Sequence, residues 1–482
     1  MKESERLVNH FLDRFFWPRS IALVGAPNNS LKINYHLTRN LIDLKFKGRI
    51  YPVNTHSKEI DGIRAFPRLQ DIPDKIDLAV SAVPASKTMD VVRECDLVGI
   101  KRLVIVTGGF SEGGEQGKKL HQEIASFVKE REIRTLGPNT LSPINTSNHF
   151  SISFNQIKKM KRGGLSFAFQ SGFYDPKIDW LCSHLGINKI LDMGNKIDIN
   201  EVDALEYFSK DPDTRVIGMH IESLHGNGPE FFELLKAVSL EKPTIILKSG
   251  RTQAGSLAAA SHTGALARED DVIFDGMIKQ TSAIRAQNMD EFFDLTKAFE
   301  FLELPKGNRI SIIVLSGGEG VLATDACEVN GLELADLKDR TYNRLKRIFP
   351  PWKIPLNPLD AGVCIEFNFS DLPGFYKTLA AIPADENVDC TIMQMPPHLL
   401  VNKVPSGKDT SKKEKFTQMF LDTKGNGNPF ALWCTSMDRH EMELVDIIES
   451  HNMPVFQSSE RAIKALSAMC KYRLRSSPDR VK

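Results

Sequence analysis

The chain has 482 residues, 62 Lys and Arg against 61 Asp and Glu, with 41% hydrophobic and 26% charged residues. That length allows about three domains of roughly 150 residues, and the composition is that of a soluble globular protein with material for sizeable cores. A formal net charge of +1 leaves no basic footprint for nucleic acid, and no apolar run approaches the roughly 18 residues of a membrane span.

The opening hexapeptide Met1-Lys2-Glu3-Ser4-Glu5-Arg6 is charged with both signs and lacks the apolar region of a signal peptide. Seven scattered cysteines, at 95, 182, 327, 364, 390, 434 and 470, contain no CxxC pair. They fit neither a disulfide framework nor a zinc site and point to a reducing, cytoplasmic location. Phe11, Phe15, Phe16 and Trp17 predict a packing stripe on a short opening helix.

Short apolar runs then alternate with amphipathic stretches, the pattern of strands and helices in parallel sheets. A first block, residues 1–147, has strand candidates at Ser20-Ile21-Ala22-Leu23-Val24, Arg49 to Val53, Leu78 to Val83 and Arg102 to Val106. A second, 148–304, has Leu165 to Phe169, Val216 to Ile221 and Thr244 to Leu247. A third, 305–482, has Arg309 to Leu315, Cys390 to Gln394 and Phe430 to Trp433. The tract from Lys403 to Lys415 and the tail from Arg473 read as solvated loop and frayed end.

Glycine turns after strands mark the candidate sites. Gly25-Ala26-Pro27-Asn28-Asn29 follows a strand and precedes a plausible helix, whose free amides suit a phosphate; an ordinary strand–helix turn fits equally. It is not GxGxxG, and Val53-Asn54 offers no acid to a ribose, which removes the main support for NAD. Thr107 to Gly114 and Gly137-Pro138-Asn139 close further strands, so several loops at one end of a sheet predict a cleft.

Gln170-Ser171-Gly172 suits an anion at a helix start, or reads as an N-cap serine. In Gly255 to Ala267 a single imidazole, His262, lies among small residues and is bracketed by Gly255 and Gly264. Such a segment predicts a loop that can reposition, and a neutral imidazole can carry a phosphoryl group covalently. Glu222, at the end of a strand, could fix the tautomer of such a ring or merely face water. Lys248-Ser249-Gly250-Arg251 could neutralise phosphate or form an exposed turn.

In this order the motifs resemble the alpha subunit of ADP-forming acyl-CoA synthetases of the acetate–CoA ligase type, relatives of succinyl-CoA synthetase. The likeness runs from about Ser20 to Tyr472. It includes Tyr51-Pro52-Val53-Asn54, Val83-Pro84-Ala85, Gly109-Phe110-Ser111-Glu112, Gly194-Asn195-Lys196-Ile197-Asp198, Ser261-His262-Thr263-Gly264, Gly317-Gly318-Glu319-Gly320 and Asn357-Pro358-Leu359-Asp360.

The resemblance implies an α/β fold, with a Rossmann-like CoA-binding domain followed by two flavodoxin-like ligase domains. It implies CoA across Gly25, Ala26, Asn28, Val53 and Asn54, with Val83 and Pro84 along its pantetheine arm and Asn139 nearby. Phosphate would sit at Gln170, Ser171 and Gly172; His262 would be phosphorylated and Glu222 would steady it. The reaction would interconvert acyl-CoA, ADP and phosphate with acid, CoA and ATP through an acyl phosphate. The acid would be a small carboxylic acid, and an ATP-grasp beta subunit on a separate chain would hold ATP or ADP and Mg2+, with no metal on this chain.

The sequence departs from the family pattern at Asn34, at Thr140-Leu141-Ser142 and at Phe169 to Pro176, where Phe173 and Asp175 would crowd and repel an anion. Those changes leave a rival open: a non-catalytic CoA- or acyl-CoA-binding regulatory homologue with a degenerate phosphate pocket.

Overall fold

The structure is a computed structural model that describes residues 8–225, 227–263, 271–396, 412–425, 428–434 and 439–476. The chain divides into two compact units, before and after the Gln287–Asn288 bond.

The first unit holds two sheets. One contains β1 (Ser20–Val24), β2 (Arg49–Val53), β5 (Leu78–Ser81), β6 (Arg102–Ile105) and β7 (Arg134–Leu136) in the order β2-β1-β5-β6-β7, all parallel; β3 (Glu59–Ile60) and β4 (Ile63–Arg64) form a separate hairpin. β1 and β5 are buried along their whole length, which is why they read as unbroken apolar runs rather than alternating ones. Because the strands are parallel, every loop singled out in this block lies at one carboxyl edge.

The second sheet contains β8 (Ile144–Asn145), β9 (Phe150–Ser151), β10 (Arg162–Phe169), β11 (Ile187–Asp192), β12 (Val216–Ile221), β13 (Thr244–Lys248) and β14 (Ile284–Ala286). Its order is β14-β13-β12-β10-β11-β8-β9, with only β8 and β9 antiparallel to their neighbours. One apolar cluster serves both sheets, joining Ile21, Leu78 and Val104 to Ala168, Leu191 and Met219. The opening stripe is part of that cluster: Phe15, Phe16 and Trp17 are buried, and Phe16 stacks on Tyr207 at 5.1 Å.

Strand β11 escapes the sequence reading because Asn188 and Lys189 interrupt its apolar pattern. Both are buried: Lys189 Nζ lies 2.6 Å from Asp211 Oδ2, and Asn188 donates to the same carboxylate at 2.8 Å. A buried cation is tolerated when paired and hydrogen-bonded in this way.

The second unit contains β15 (Arg309–Val314), β16 (Glu333–Leu334), β17 (Leu359–Asp360), β18 (Cys390–Gln394), β19 (Phe430–Trp433) and β20 (Val455–Phe456). All are parallel, in the order β16-β15-β18-β19-β20, with β17 also pairing with β15. Helix Met289–Phe301, which the sequence reading attaches to the second block, lies in this unit. Its buried Lys297 donates to Glu449 Oε1 at 2.8 Å and Val455 O at 2.5 Å, and Asp294 accepts from Arg461 at 2.5 Å.

The described parts of two expected irregular stretches, from Lys412 and from Arg473 to Ser476, are helical instead. Residues 403–411 lie outside the described residues, but Lys412–Lys424 is helical because Phe416, Met419 and Phe420 form a buried face. Helix Ser459–Ser476 continues through Arg473, with Tyr472 buried. Among the described residues, no helix is long and apolar enough to cross a membrane.

Candidate active site

At the carboxyl edge of the first sheet, Gly25 has φ +84°, and a Cβ there would sit 2.9 Å from Val83 Cγ1 and 3.1 Å from Ala82 C. Only glycine lets these two loops touch. Asn54 braces the turn: its amide donates to Ala26 O at 2.9 Å while its Oδ1 accepts from His56 N and Ser57 N. Asn28 and Pro84 are exposed, and Val53 and Ala26 are buried.

The helix after Gly25 starts only at His36, so this turn is not itself a helix N-terminus. The helix start beside it belongs to Ala85–Leu97, which Pro84 precedes at the N-cap position. That helix start directly follows Ala82 and Val83, which touch the Gly25 turn, and the N-terminal end of a helix suits a phosphate-bearing ligand.

The remaining loops of that edge meet the second sheet. Asn139, at φ 60° after the cis Gly137–Pro138 bond, donates from its backbone N to Thr107 O at 3.0 Å. Gly194 packs so closely on this turn that a Cβ would sit 2.2 Å from Pro138 O. Asn195 Nδ2 donates to Glu112 Oε2 at 2.5 Å, and Glu112 Oε1 accepts from Gly109 N at 2.7 Å. Loops of both sheets thus meet at this edge, where the sequence predicts a cleft.

In the second sheet, adjacent strands β11, β10, β12 and β13 end at Asp192, Phe169, Ile221 and Lys248. Ser171 is extended and half-buried, and its hydroxyl makes no cap bond to the short 3-10 helix Gly172–Lys177. The N-cap alternative is thus not realised. Gln170 is buried, and its Oε1 accepts from Glu222 N at 2.8 Å and Ser223 N at 3.1 Å while its amide donates to Ser223 Oγ at 3.2 Å. Its carboxamide is turned to the end of β12 rather than toward an anion at Ser171.

Lys248 behaves similarly. It is buried, and its Nζ donates to Glu222 O at 2.6 Å and Ser249 O at 2.9 Å; Arg251 is exposed and donates to Gln287. Lys196, also buried, donates to Ser223 O at 2.6 Å and Glu201 Oε2 at 2.7 Å.

The expected repulsion by Asp175 is corrected by the structure. Asp175 is buried and accepts from Ser153 Oγ at 2.7 Å and from Asn155 Nδ2. The charge is turned into the core, and burial raises its pKa. Tyr174 fills the layer above, stacked on Phe169 at 4.3 Å with its hydroxyl donating to Leu141 O. Phe173 sets its edge against the His220 ring at 4.8 Å.

Sequence reasoning missed Asp192 because it missed β11. Its carboxylate accepts from Leu141 N and Gly194 N, at 3.0 and 3.1 Å. Burial pushes its pKa up to about 7, against those hydrogen bonds and with help from the charges of Asp175 and Glu222. A carboxyl raised above its unfolded value contributes most when protonated: the contribution is full below about pH 4 and is lost as pH rises through about 7. Calorimetry is therefore expected to show that Asp192→Asn loses less thermal stability than wild type between about pH 5 and about pH 8. Parallel curves would contradict that assignment.

His262 falls in the last turn of helix Gln253–Thr263. The side chains of 260–263, and all of 264–270, lie outside the described residues. The segment from Gly255 to Thr263 is helix rather than the expected repositioning loop. Ala254, Ala258 and Ala259 supply strong helix propensity there. Gly250, at φ +70°, links β13 to this helix; a Cβ there would lie 3.7 Å from Ala259 Cβ and 3.8 Å from Glu222 O. The helix bearing position 262 thus starts against the strand end that carries Glu222. Among the described residues, no cluster of three or more His, Cys, Asp or Glu is placed to hold a metal ion.

Comparison with known proteins agrees with this layout. Residues 19–145 match the CoA binding domain family, and residues 162–299 match the succinyl-CoA ligase like flavodoxin domain. The chain is 32% identical over 463 residues to the acetate–CoA ligase [ADP-forming] II subunit alpha of Pyrococcus furiosus, covering 95% of this chain and 97% of that one. It is 34% identical over 461 residues to acetate–CoA ligase [ADP-forming] II of Archaeoglobus fulgidus, where it spans 95% of itself but 66% of the relative.

A solved structure, the dinucleotide forming acetyl-coenzyme A synthetase 1 of Ca. Korarchaeum cryptofilum in complex with phosphate and ADP, superposes with a TM-score of 0.82. The two are 29% identical, over 96% of this chain and 97% of that one. With sequence and fold both shared nearly from end to end, the chain belongs to the family of ADP-forming acetate–CoA ligases.

Proposed function

We propose that the chain is the CoA-binding and phosphoryl-carrying subunit of an ADP-forming acyl-CoA synthetase. Residues 1–147 bind CoA, 148–304 carry the phosphohistidine, and 305–482 form a second ligase domain. The observation that supports this reading is the Lys248–Gly250 turn, which joins both parts: Lys248 Nζ donates to Glu222 O at 2.6 Å, and Ser256 Oγ, on the helix of His262, donates to Gly250 O at 2.6 Å.

The chemistry then runs in balanced steps. A phosphate oxygen attacks the thioester carbonyl, the C–S bond breaks, and CoA leaves as the thiol. A ring nitrogen of His262 then attacks the phosphorus of the acyl phosphate; the P–O bond to the acyl group breaks and the carboxylate leaves. Phosphohistidine finally gives its phosphoryl group to ADP. Covalent transfer divides one difficult displacement into two easier ones, and Glu222 stabilises the charged ring.

Gly25, Ala26, Asn28, Val53 and Asn54, with Val83, Pro84 and Asn139, shape the CoA cleft, and Ser171 and Gly172 face the phosphate. The nucleotide and Mg2+ lie on an ATP-grasp beta subunit. Near-complete coverage of a relative named as an alpha subunit supports that division, and a cytoplasmic location fits seven cysteines that form no disulfide. The inward turn of Asp175 removes the electrostatic argument for a decayed, non-catalytic pocket.

The test is reconstitution with an ATP-grasp partner and a screen of small carboxylic acids for ADP release that depends on CoA. Release with at least one acid is expected; CoA binding by calorimetry with no turnover for any acid would overturn the catalytic reading.

A further inference from the structure

The Glu222–Ser223 segment is gripped on every polar side of its backbone. Both amide N–H groups, of Glu222 and Ser223, donate to the single oxygen Gln170 Oε1, at 2.8 and 3.1 Å. Both carbonyls accept from buried ammonium groups: Glu222 O from Lys248 Nζ and Ser223 O from Lys196 Nζ, each at 2.6 Å. The three gripping side chains come from three places, the ends of β10 and β13 and the turn after β11. Lys196 is itself held by Glu201, whose other oxygen accepts from His225 N at 2.7 Å, so the grip reaches two residues past Ser223.

A strand end normally frays into its loop, with backbone groups free to exchange with water. Here four charged or amide-based hydrogen bonds, all made by three nine-tenths-buried side chains, fix the peptide from which the Glu222 side chain departs. Charge-assisted bonds of this kind are the strong class, and in a water-excluded interior their loss leaves unsatisfied backbone groups. The groups look inward to the backbone, not outward to a ligand.

We infer that Gln170, Lys248 and Lys196 are positioning residues: they act on phosphoryl transfer by fixing the Glu222 carboxylate, not by binding the phosphate. This rests on the role of Glu222 proposed above. It also divides Gln170-Ser171-Gly172 into two functions, with Gln170 serving β12 and Ser171-Gly172 left for the anion.

A double-mutant cycle on the chain assembled with its ATP-grasp partner tests this, following phosphoenzyme formation from inorganic phosphate and acetyl-CoA. Gln170→Met is expected to lower the maximal rate by about 10- to 100-fold, the cost of misplacing a catalytic group by about 1 Å, with the KM for phosphate nearly unchanged. In a Glu222→Gln background the same change is expected to cost less than about threefold, because coupled residues are not additive. Gln170→Glu keeps the accepting oxygen and is expected to restore most of the rate.

A KM for phosphate that rises tenfold or more in Gln170→Glu would make Gln170 an anion ligand and overturn the inference, as would multiplying effects in the cycle. Should Gln170→Met not fold, Lys248→Met is run through the same cycle with the same expectation. Absence of phosphoenzyme in the wild-type assembly, from ATP as well as from phosphate and acetyl-CoA, would instead defeat the reading of His262 and Glu222, so the two failures are distinguishable.

Discussion

Replacing His262 with Asn is expected to abolish phosphorylation of the chain and to cut acyl-CoA synthesis by at least about 10⁴-fold, the scale on which loss of a covalent nucleophile is felt. Asn has similar size and polarity but no nucleophilic ring nitrogen, so helix Gln253–Thr263 and CoA binding should survive. Glu222→Gln keeps a side chain of equal length, and with it the backbone bonds to Gln170 and Lys248. It loses the charge that steadies an imidazolium, and a fall of about 10²- to 10³-fold is expected, within the range of a positioned acid–base partner. Quenched-flow measurement of phosphoenzyme checks both. Equal effects of the two changes on CoA affinity and on rate would point to collapse of the cleft instead.

Gly194→Ala is expected to cost about 2–4 kcal/mol of stability, a large effect for one methyl group. The residue has φ +54°, and its Cβ would lie 2.2 Å from Pro138 O and 2.7 Å from Asn139 O. Both obstacles are backbone, so no side chain can turn away. The contact is also the seam between the sheets, where Asn195 N donates to Pro138 O at 2.9 Å and Ile197 N to Gly137 O at 2.9 Å.

Gly99→Ala is the control. Gly99 has φ +75° but nothing within 4 Å of a Cβ, and only the conformational term, about 1 kcal/mol, is expected. Urea unfolding of both variants separates clash from conformational preference. Similar losses would mean that the seam yields to the added methyl.

The strands were legible where burial on both faces made them continuous: β1, β6, β12, β15 and β19 lie where apolar runs predict them. β11 was hidden by Asn188 and Lys189, whose partner Asp211 is 22 residues from Lys189; no local pattern announces a buried ion pair. The helix Met289–Phe301 has an ordinary amphipathic sequence, and only the distant Glu449, Val455 and Arg461 assign it to the second unit.

At the site, glycine turns and Glu222 were readable because a strand followed by glycine has few other uses. The directions of side chains were not. Gln170, Lys248 and Asp175 read from the sequence as groups facing an anion, and in the fold all three turn away, toward backbone or core. The stretch around His262 was read as a loop from its glycines, yet its alanines carry the helix to Thr263.

The most direct measurement is transfer of radiolabelled γ-phosphate from ATP to the chain assembled with its partner, followed by proteolysis and mapping of the labelled peptide. One acid-labile, base-stable phosphate is expected, on the peptide containing His262, discharged by the carboxylic acid and CoA together. Label on any other residue, or label that persists in His262→Asn, would contradict it.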